Sequence, residues 1–483
     1  MEVTPRRECV RIFGVLCRTI RAPHMSTRLR RAVFLRGLGA THLIAAGSLW
    51  TQAGGLFGPG GILPFDAFLA DVGANSTNAT LEVPTWLWLL PTQQGLDGLF
   101  ALHCLLATLL LFGARPEGWL LLGLFSTWIS ICNVGGVFLG FQWDALLAEC
   151  TVVALFVARF RLGEREPATW GWWMVWGLLG RLMFFGGFAK LTSGDPTWRD
   201  SSALTYHYWT QPLPNPLSLW FHRMPFIVHD ASVHFMFLVE LVFPWLIPFG
   251  RSARRVAFTG FAMLMALLAV SGNYGYFQIL ALVLCFTLLD EVDLKAFFPG
   301  PTAVEAPPTG PWLLPAALLL LAVQVGWYAD VRVVQEWVYP WHLTSRYGLF
   351  ARMTTERPEV RLEGTWDGKT WSEIPTRWTP DDADGWPLQV APHHPRLDWQ
   401  LWFAGLGSCR RNPWLVATMT QIATGNVRVT SLLSLDPAGE PPRRVRAQVA
   451  LYTPAAPDSA HVWEIGAWKP YCDFEVDASG PVR

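Results

Sequence analysis

Nine apolar segments recur along the first 330 residues of the chain and limit the folds open to it. A helix needs about 20 apolar residues to cross the hydrocarbon core of a bilayer, and several of these segments are short by that measure. They lie at about 32–50, 95–113, 117–134, 143–160, 170–190, 229–249, 256–272, 275–290 and 312–329. The composition agrees, because 52% of the residues are hydrophobic and only 15% are charged. The sequence therefore predicts a polytopic α-helical membrane bundle over residues 32–330.

The distribution of arginine predicts how this bundle is oriented. Residues 1–31 form a basic N-terminal tail with eight Arg, and the loops after the second, fourth and sixth segments are basic as well. The loops at 51–94, 134–142 and 272–276 contain no Lys or Arg. Because basic residues are enriched in cytoplasmic loops, we expect about nine spans, with the N-terminus inside, the C-terminus outside and a large outer loop at 191–228.

The tail has a second interpretation, and the expected membrane depends on the kind of organism. An Arg-rich tail with few acidic residues also fits an organelle presequence. The expected location is the endoplasmic reticulum membrane in a eukaryote and the inner (plasma) membrane in a bacterium.

Asn75 and Asn78 begin two glycosylation sequons in the first outer loop, on the face where a eukaryote would modify them. The net charge is zero, so the chain as a whole has no charge that would attract nucleic acid.

After about residue 340 the composition changes to that of an extramembrane domain. EVRLEGTW and KTWSEI flank Asp367 and Gly368, a pair that favours a tight β-hairpin turn. Three further strands are expected at 426–435, 443–453 and 461–468, whereas LDWQLWFAGLG and NPWLVATMTQIATG have helical spacing. We therefore expect a β-rich domain over 340–483, facing the lumen or periplasm, with a helical insertion.

Two of the eight cysteines lie in this domain, at Cys409 and Cys472. They could form a disulfide if the domain faces an oxidising compartment. Four others, at positions 104, 132, 150 and 285, fall in apolar segments, where small buried hydrophobic residues are expected. No CxxC spacing is present.

Two dense stretches are the candidate binding sites. The outer loop brings Trp198, Tyr206, His207 and Gln211 close together, which a simple connection between helices would not need. The second stretch is residues 391–407. Its candidate binding residues are Arg396, Asp398, Trp399 and Trp402. These side chains could pack the domain onto the membrane half, or they could present an aromatic patch to a client protein.

Charged residues inside apolar segments form a further group of candidates. Arg181 and Glu240 fall about halfway along the fifth and sixth segments, and charges within a membrane usually pair inside the bundle. We therefore predict a structural ion pair between them. Lys190 and His207 lie at the outer boundary and are the candidates for acid–base catalysis, although Lys190 could equally reach the interface as a structural residue.

Motifs for other chemistries are missing from the sequence. No metal site is expected, because none of the histidines has the HExxH pattern or an i, i+4 partner with carboxylate support. The chain also lacks GxSxG, Walker-type and Rossmann glycine patterns, so no nucleotide or other cofactor is expected.

Two long motifs carry a family resemblance. RLMF-x-x-G-x-x-KLTSGDPTW-x-x-x-x-ALTYHY-x-TQPLPNP begins at Arg181, and APHHPRLDWQLWFA-x-LG-x-x-x-x-NPW begins at Ala391. In this order they resemble the lipase maturation factor family. The resemblance implies a polytopic membrane protein with a luminal C-terminal domain. In animals such proteins act in the endoplasmic reticulum, where they help dimeric lipases reach their folded, active assembly. The membrane half is also distantly similar to the transmembrane domain of vitamin K-dependent γ-carboxylases.

Two functions are therefore weighed. In the first, the chain is a non-catalytic, chaperone-like maturation factor whose partners are membrane lipid and a secreted client protein, a lipase in the animal relatives. In the alternative, it is an integral membrane enzyme with an acid–base site at Lys190 and His207. A deep pocket lined by these two side chains would favour the enzyme, and a filled site beneath an exposed aromatic surface would favour the maturation factor.

Overall fold

The computed structural model describes residues 28–162, 170–298, 313–380, 382–436 and 439–482. The predicted tail up to residue 27 lies outside this range, and Arg28 to Arg31 already belong to the first helix. The helices up to residue 338 are α1 (Arg28–Leu56), α2 (Phe65–Asn75), α3 (Ala79–Glu82), α4 (Gln93–Leu111), α5 (Glu117–Cys132), α6 (Gln142–Ala154), α7 (Gly171–Thr192), α8 (Pro196–Arg199), α9 (Ala203–Thr210), α10 (Ser218–His222), α11 (Phe226–Phe237), α12 (Arg251–Ser271), α13 (Phe277–Phe286), α14 (Glu291–Leu294), α15 (Leu314–Tyr328) and α16 (Arg332–Val338).

Each predicted apolar segment contains helix, but the helices differ in length. Within the part of the chain that the structure describes, five helices are long and apolar enough to cross a membrane, namely α1, α4, α7, the continuous segment Phe226–Phe249 and α12. The chain after α15 bends by 119° into α16, and this pair adds a sixth crossing if it counts as one span. Helices α5 and α13 are shorter apolar helices. The chain is therefore a helical membrane protein, and both the count of nine spans and their orientation stay predictions.

Several helix ends meet the C-terminal domain at one end of the bundle, which we call the docked face. Gln52 near the end of α1, Asp144 at the start of α6 and Asn273 between α12 and α13 all bind residues of that domain. Arg30, at the start of α1, and Asp290, just after α13, lie together at the other end of the bundle, the opposite face. The helices thus run up and down in alternation.

The basic residues of the opposite face gather around one short acidic segment. Asp290 caps the start of helix α14 and Asp293 lies within that helix, and Asp290 accepts a hydrogen bond from Arg30 at 2.6 Å. Arg251 lies 3.3 Å from Asp290 and 2.8 Å from Asp293, and Arg255 also pairs with Asp293. This pairing explains why the loop after α13 is the least basic of the loops predicted on this side.

The sixth apolar segment is not a continuous α-helix. Helix α11 continues as a π-helix over Leu238–Val242 and then as a 3₁₀ helix over Phe243–Phe249. Pro244 and Pro248 interrupt regular helical hydrogen bonding, because proline has no backbone N–H. A 3₁₀ helix rises about 2.0 Å per residue, more than an α-helix, so the residues from Phe243 to Phe249 extend further along the helix axis than the same number of α-helical residues would. Glu240 consequently lies nearer the docked face than its position in the sequence suggests.

The C-terminal domain is a seven-stranded antiparallel sheet with helices packed against it. Strands β2, β1, β3, β6 and β7 follow one another in this order, and β4 and β5 both pair with β3. The strands are β1 (Arg357–Thr365), β2 (Ser372–Ile374), β3 (Arg444–Pro454), β4 (Trp463–Ile465), β5 (Lys469–Pro470), β6 (Glu475–Asp477) and β7 (Gly480–Val482). The helices are α17 (Arg396–Gly405), α18 (Pro413–Ala423) and α19 (Val427–Thr430).

Two local predictions need correction. The strand expected at 426–435 is wrong, because the Asn426 side chain accepts the backbone N–H of Arg428 and starts the short helix α19 there. The hairpin of β1 and β2 is present, with Gly364 opposite Ser372, but its loop is longer than a two-residue turn. Asp367 accepts two backbone N–H groups at 2.7 Å within that loop.

The disulfide that the sequence allowed is present in the structure. Cys409, in a short 3₁₀ turn after α17, is bonded to Cys472 in the segment between β5 and β6, with their Cα atoms 5.3 Å apart. The cross-link ties the helical insertion to the segment that joins strands β5 and β6. Cys132, Cys150 and Cys285 are buried free thiols within the membrane half.

The membrane half and the C-terminal domain share one continuous hydrophobic core. It extends from Phe34 and Trp128 among the spanning helices to Trp399 and Trp414 in the domain. A second, smaller cluster joins Trp209 of the outer loop to the sheet. The two halves are therefore packed into one body.

Candidate functional site

A cavity of about 160 Å³ lies where helices α7, α11 and α12 reach the outer loop. Its polar lining includes Lys190, Glu240, His207 and Tyr274. The wall is otherwise largely apolar, with contributions from Leu182, Met183, Trp198, Met236, Leu264, Met265, Leu268 and Phe350. The structure thus brings both catalytic candidates, Lys190 and His207, to one cavity.

Lys190 pairs with Glu240 at the inner end of this cavity. The ammonium group donates to both carboxylate oxygens, at 2.8 and 3.1 Å, and to the carbonyl of Gly186 at 3.2 Å. A Cβ atom added at Gly187 would lie 2.9 Å from Cβ of Glu240, so only glycine lets the two helices approach this closely. Glu240 therefore neutralises Lys190 and fixes its position.

The predicted ion pair between Arg181 and Glu240 is wrong. The Arg181 guanidinium instead binds the carboxylate of Glu149 on α6 and donates to the hydroxyl of Thr344 at 3.1 Å. Arg181 and Lys190 are nine residues apart on one helix, which corresponds to about 13 Å of rise, so one carboxylate cannot serve both. The broken sixth span brings Glu240 to the level of Lys190. Glu149 is held further by the Tyr347 hydroxyl at 2.5 Å.

His207 belongs to a directed chain of hydrogen bonds. Gln211 donates its amide to the carbonyl of Ser271 at 2.7 Å, which turns its Oε1 atom toward Tyr274. The Tyr274 hydroxyl donates to that oxygen at 2.6 Å and lies 2.9 Å from Nε2 of His207. Burial, and next the charge of Lys190, lower the pKa of His207 to about 4, so the ring is neutral at physiological pH.

The other outer-loop candidates are mostly buried as well. Trp198 is 5% exposed and donates to the carbonyl of Phe350 at 3.1 Å. Nearby, Asp195 caps helix α8 and accepts the backbone N–H of Met353 at 2.6 Å. Tyr206 is half-buried and packs against the cluster around Trp209. These residues hold the chain that leaves α16, so they do not form an exposed aromatic patch.

The second dense stretch docks the C-terminal domain on the bundle. Arg396 places its two terminal nitrogens on the carboxylate of Asp144 at 2.6 and 2.7 Å, and both residues are 1% exposed at the side chain. The hydroxyl of Tyr276 donates to the same carboxylate at 2.6 Å. Trp399 packs edge-on against Trp143 with ring centroids 5.1 Å apart. Of the two interpretations of this stretch, the structure favours packing.

Asp398 and Trp402 are also buried, at 3% exposure each. The Asp398 carboxylate accepts the backbone N–H of Trp378 at 3.1 Å. Burial raises the pKa of Asp398 to about 7, because backbone hydrogen bonds to the carboxylate only partly offset the loss of water around its charge. Trp402 packs at 5.0 Å against the half-exposed ring of Phe403. Neither residue is available to a client on the surface.

A second buried arginine, which sequence reasoning missed, also joins the halves. Arg357 at the start of β1 is fully buried and donates to three backbone carbonyls of the outer loop, those of Trp209, Gln211 and Pro212, at 2.9, 2.5 and 3.2 Å. The backbone carbonyls of the WTQP segment in the first motif therefore hold Arg357 of the sheet in place. The sequence signal was weak, because an Arg before a strand is common on protein surfaces.

Two buried histidines in the bundle were missed too. Nδ1 of His42 on α1 lies 3.1 Å from Nε2 of His103 on α4, and both rings are fully buried. Their outer nitrogens bind Thr151 on α6 and Thr127 on α5 at 2.8 and 2.7 Å. Ionisable residues inside apolar segments are unusual, so the rule that singled out Arg181 applied to these histidines as well.

The fold and the cavity define a class of protein, a polytopic membrane protein whose outer loop and C-terminal β domain form one body. The family model described as "Lipase maturation factor transmembrane domain" matches residues 29–296, and that described as "Lipase maturation factor C-terminal domain" matches residues 343–469. The chain belongs to the lipase maturation factor family.

Curated relatives agree with this assignment. The chain is 32% identical to Lipase maturation factor 2 of Rattus norvegicus and 33% identical to that of Homo sapiens, in each case over 92% of this chain and 82% of the relative. It is 28% identical to Lipase maturation factor 1 of Homo sapiens, over 91% and 85% of the two chains. No solved structure matches the chain significantly.

Proposed function

We propose that this protein is a non-catalytic maturation factor that holds an immature secreted protein, a lipase by analogy with the names of its relatives, at its docked face. One observation carries the proposal, a set of exposed apolar side chains on segments of the outer loop and the C-terminal domain that hydrogen bonds join. We call it the bridging patch. Its four members are between 48% and 56% exposed and comprise Leu217, Trp220, Trp386 and Leu388.

The segments that carry the bridging patch are tied together. Asn273 donates to the carbonyls of Pro214 and Leu388 at 3.1 and 2.8 Å, and Asn215 donates to the Gln389 side chain at 3.2 Å. The patch is therefore presented on a fixed support. Exposed apolar side chains at a rigid surface are typical of protein-binding sites, where large aromatic residues contribute most of the affinity.

The location supports the client role further. If the docked face is the outer face, as the distribution of Arg suggests, the bridging patch faces the compartment in which secreted proteins fold. Binding of exposed apolar surface needs neither a nucleophile nor a cofactor. In an endoplasmic reticulum membrane the orientation would bring the patch into the lumen, and in a bacterial inner membrane into the periplasm.

The enzyme alternative is not proposed. Lys190 and His207 do line one cavity, as that alternative required. However, the Lys190 ammonium makes its hydrogen bonds to Glu240 and Gly186, and Nε2 of His207 faces Tyr274. Both candidates thus have structural partners, and the comparisons with known proteins give no support to a catalytic function.

Crosslinking from the outer face to a co-expressed secreted dimeric lipase tests the proposal. The test variant is Trp220→Ser combined with Trp386→Ser. The matched control is Trp119→Ser, because Trp119 is 63% exposed but lies near Arg115 at the opposite face. We expect the double variant to lower both the crosslinked lipase and the secreted lipase activity several-fold, and the control to leave them unchanged. Equal capture by the double variant and the native chain would refute client binding at the bridging patch.

A further inference from the structure

The cavity beside His207 has features of a lipid site that the client role does not explain. Val228 on α11 and Leu267 on α12 line it and are also 41% and 37% exposed on the bundle surface. The mouth of the cavity therefore lies between two spanning helices. Its volume, about 160 Å³, is enough for part of an acyl chain, since apolar cavities of about this size in other proteins take up small apolar molecules.

The charges of Lys190 and Glu240 cancel each other inside the cavity. Glu240 neutralises Lys190 at 2.8 Å, and His207 is neutral at physiological pH because burial lowers its pKa to about 4. Neither Lys190 nor Glu240 therefore offers an unpaired charge to a ligand, and burial of an unpaired charge is costly. The site is therefore suited to a neutral molecule.

The hydrogen-bond chain determines which atom of His207 remains free. The one hydroxyl proton of Tyr274 goes to Oε1 of Gln211, so Nε2 of His207 must carry a proton and donate it to the Tyr274 oxygen. In a neutral ring Nδ1 then has a free lone pair and can only accept. Within the described part of the chain, Nδ1 is buried and has no hydrogen-bond partner. Buried acceptors are nearly always satisfied, so an unpaired Nδ1 on a residue that lines the cavity calls for a donor from a ligand.

We infer that this cavity binds a neutral long-chain lipid with a hydroxyl group, which donates to Nδ1 of His207 while the chain extends between α11 and α12. A hydroxyl is the donor that a neutral lipid offers, and the apolar wall of Leu264, Met265 and Leu268 suits its hydrocarbon part. The inference is independent of the client role, because none of the four bridging-patch residues is among those that line the cavity.

Photolabelling of the purified full-length protein tests the inference. The probe is a long-chain primary alcohol with a diazirine in mid-chain, and its methyl ether, which cannot donate, is the matched ligand. The native chain should be labelled on α11 and α12, with the alcohol preferred about two- to tenfold over the ether, the range expected for one hydrogen bond. Labelling of neither helix, or equal labelling by alcohol and ether, would overturn the inference.

Two substitutions separate the acceptor from the structural role of the ring. His207→Gln keeps an N–H for Tyr274 but removes the Nδ1 acceptor, so the preference for the alcohol should disappear. His207→Asn places an oxygen near the Nδ1 position but loses the contact with Tyr274, so the preference should remain. The reverse pattern would show that the alcohol binds elsewhere. The comparison of the two ligands on the native chain remains decisive if either variant fails to fold.

Discussion

Arg396 and Asp144 form a bidentate ion pair across the junction between the C-terminal domain and the membrane bundle, with N–O distances of 2.6 and 2.7 Å. The pair is almost completely buried, and Phe138 contributes a carbonyl to the same guanidinium at 2.6 Å. A planar guanidinium fits such a site better than a lysine would. The second family-like motif is therefore a docking element, and the two halves work as one body.

The ion pair in the cavity yields a quantitative prediction. Glu240→Gln or Lys190→Met should each cost about 3–5 kcal/mol of unfolding free energy, because each leaves one buried charge unpaired. The double variant should recover a large part of that loss. Thermal unfolding in detergent measures the coupling in a double-mutant cycle. The same cycle with Arg181→Met and Glu240→Gln should be additive, and strong coupling there would contradict the pairing described.

A glycine next to the hydrogen-bond chain gives a second prediction. A Cβ atom at Gly272 would lie 2.1 Å from Oε1 of Gln211, so Gly272→Ala should displace that amide and break its contact with Tyr274. We expect a lower unfolding temperature and loss of the alcohol preference in photolabelling. Gly98→Ala is a suitable control, since a Cβ atom there would have no neighbour within 4 Å. Normal behaviour of Gly272→Ala would show that the chain of hydrogen bonds is unimportant.

The raised pKa of Asp398 predicts how the stability of the fold depends on pH. Burial raises its folded-state pKa to about 7, above the ordinary value of about 3.9. A raised pKa means that the folded state binds the proton more tightly than the unfolded state does. Protonation of Asp398 therefore stabilises the fold fully below about pH 3.9, and this stabilisation is lost as pH rises to about 7. Asp398→Asn should therefore flatten the unfolding-temperature profile between pH 4 and 7 and stabilise the protein above pH 7. An unchanged slope in this variant would contradict the assignment.

Glycosylation tests the orientation. Asn75 and Asn78 are exposed, and the loop that carries them lies at the docked face, where Arg428 of the C-terminal domain binds the carbonyl of Pro59 at 3.0 Å. If this face is luminal, translation with microsomes should add glycans, and Asn75→Gln with Asn78→Gln should abolish the mass shift. A glycan that appears only at a sequon engineered at the start of α12, on the opposite face, would reverse the orientation.

Much of the architecture could be predicted because its signals are local. Apolar length located the helices, and strand alternation at β3 located the centre of the sheet. The segment from Asn426 was mistaken for a strand, because its apolar alternation is also compatible with a capped helical turn. Span counting was less secure, since helices such as α13 are packed inside a larger body and need not match the thickness of a membrane.

The site was harder to predict than the fold. The residues of the cavity were recognised by type, but their partners were not, because pairing depends on depth in the membrane. The π-helix and the 3₁₀ helix around Glu240 changed that depth, and nothing in the apolar pattern indicated them. Trp198 and Trp399 were recognised as unusual, but aromatic density alone does not separate a binding surface from a buried interface.

Hydrogen exchange in the full-length protein tests the central claim, that the halves form one body joined by Arg396 and Asp144. The measurement compares the native chain with the variant Asp144→Asn. The control is Asp97→Asn, which removes the carboxylate of an exposed hydrogen bond with Trp50. We predict that Asp144→Asn speeds exchange over residues 388–405 by at least tenfold, as expected when about 1.4 kcal/mol or more is lost, while β1 and β3 stay protected. Unchanged protection of residues 388–405 in Asp144→Asn would contradict the claim.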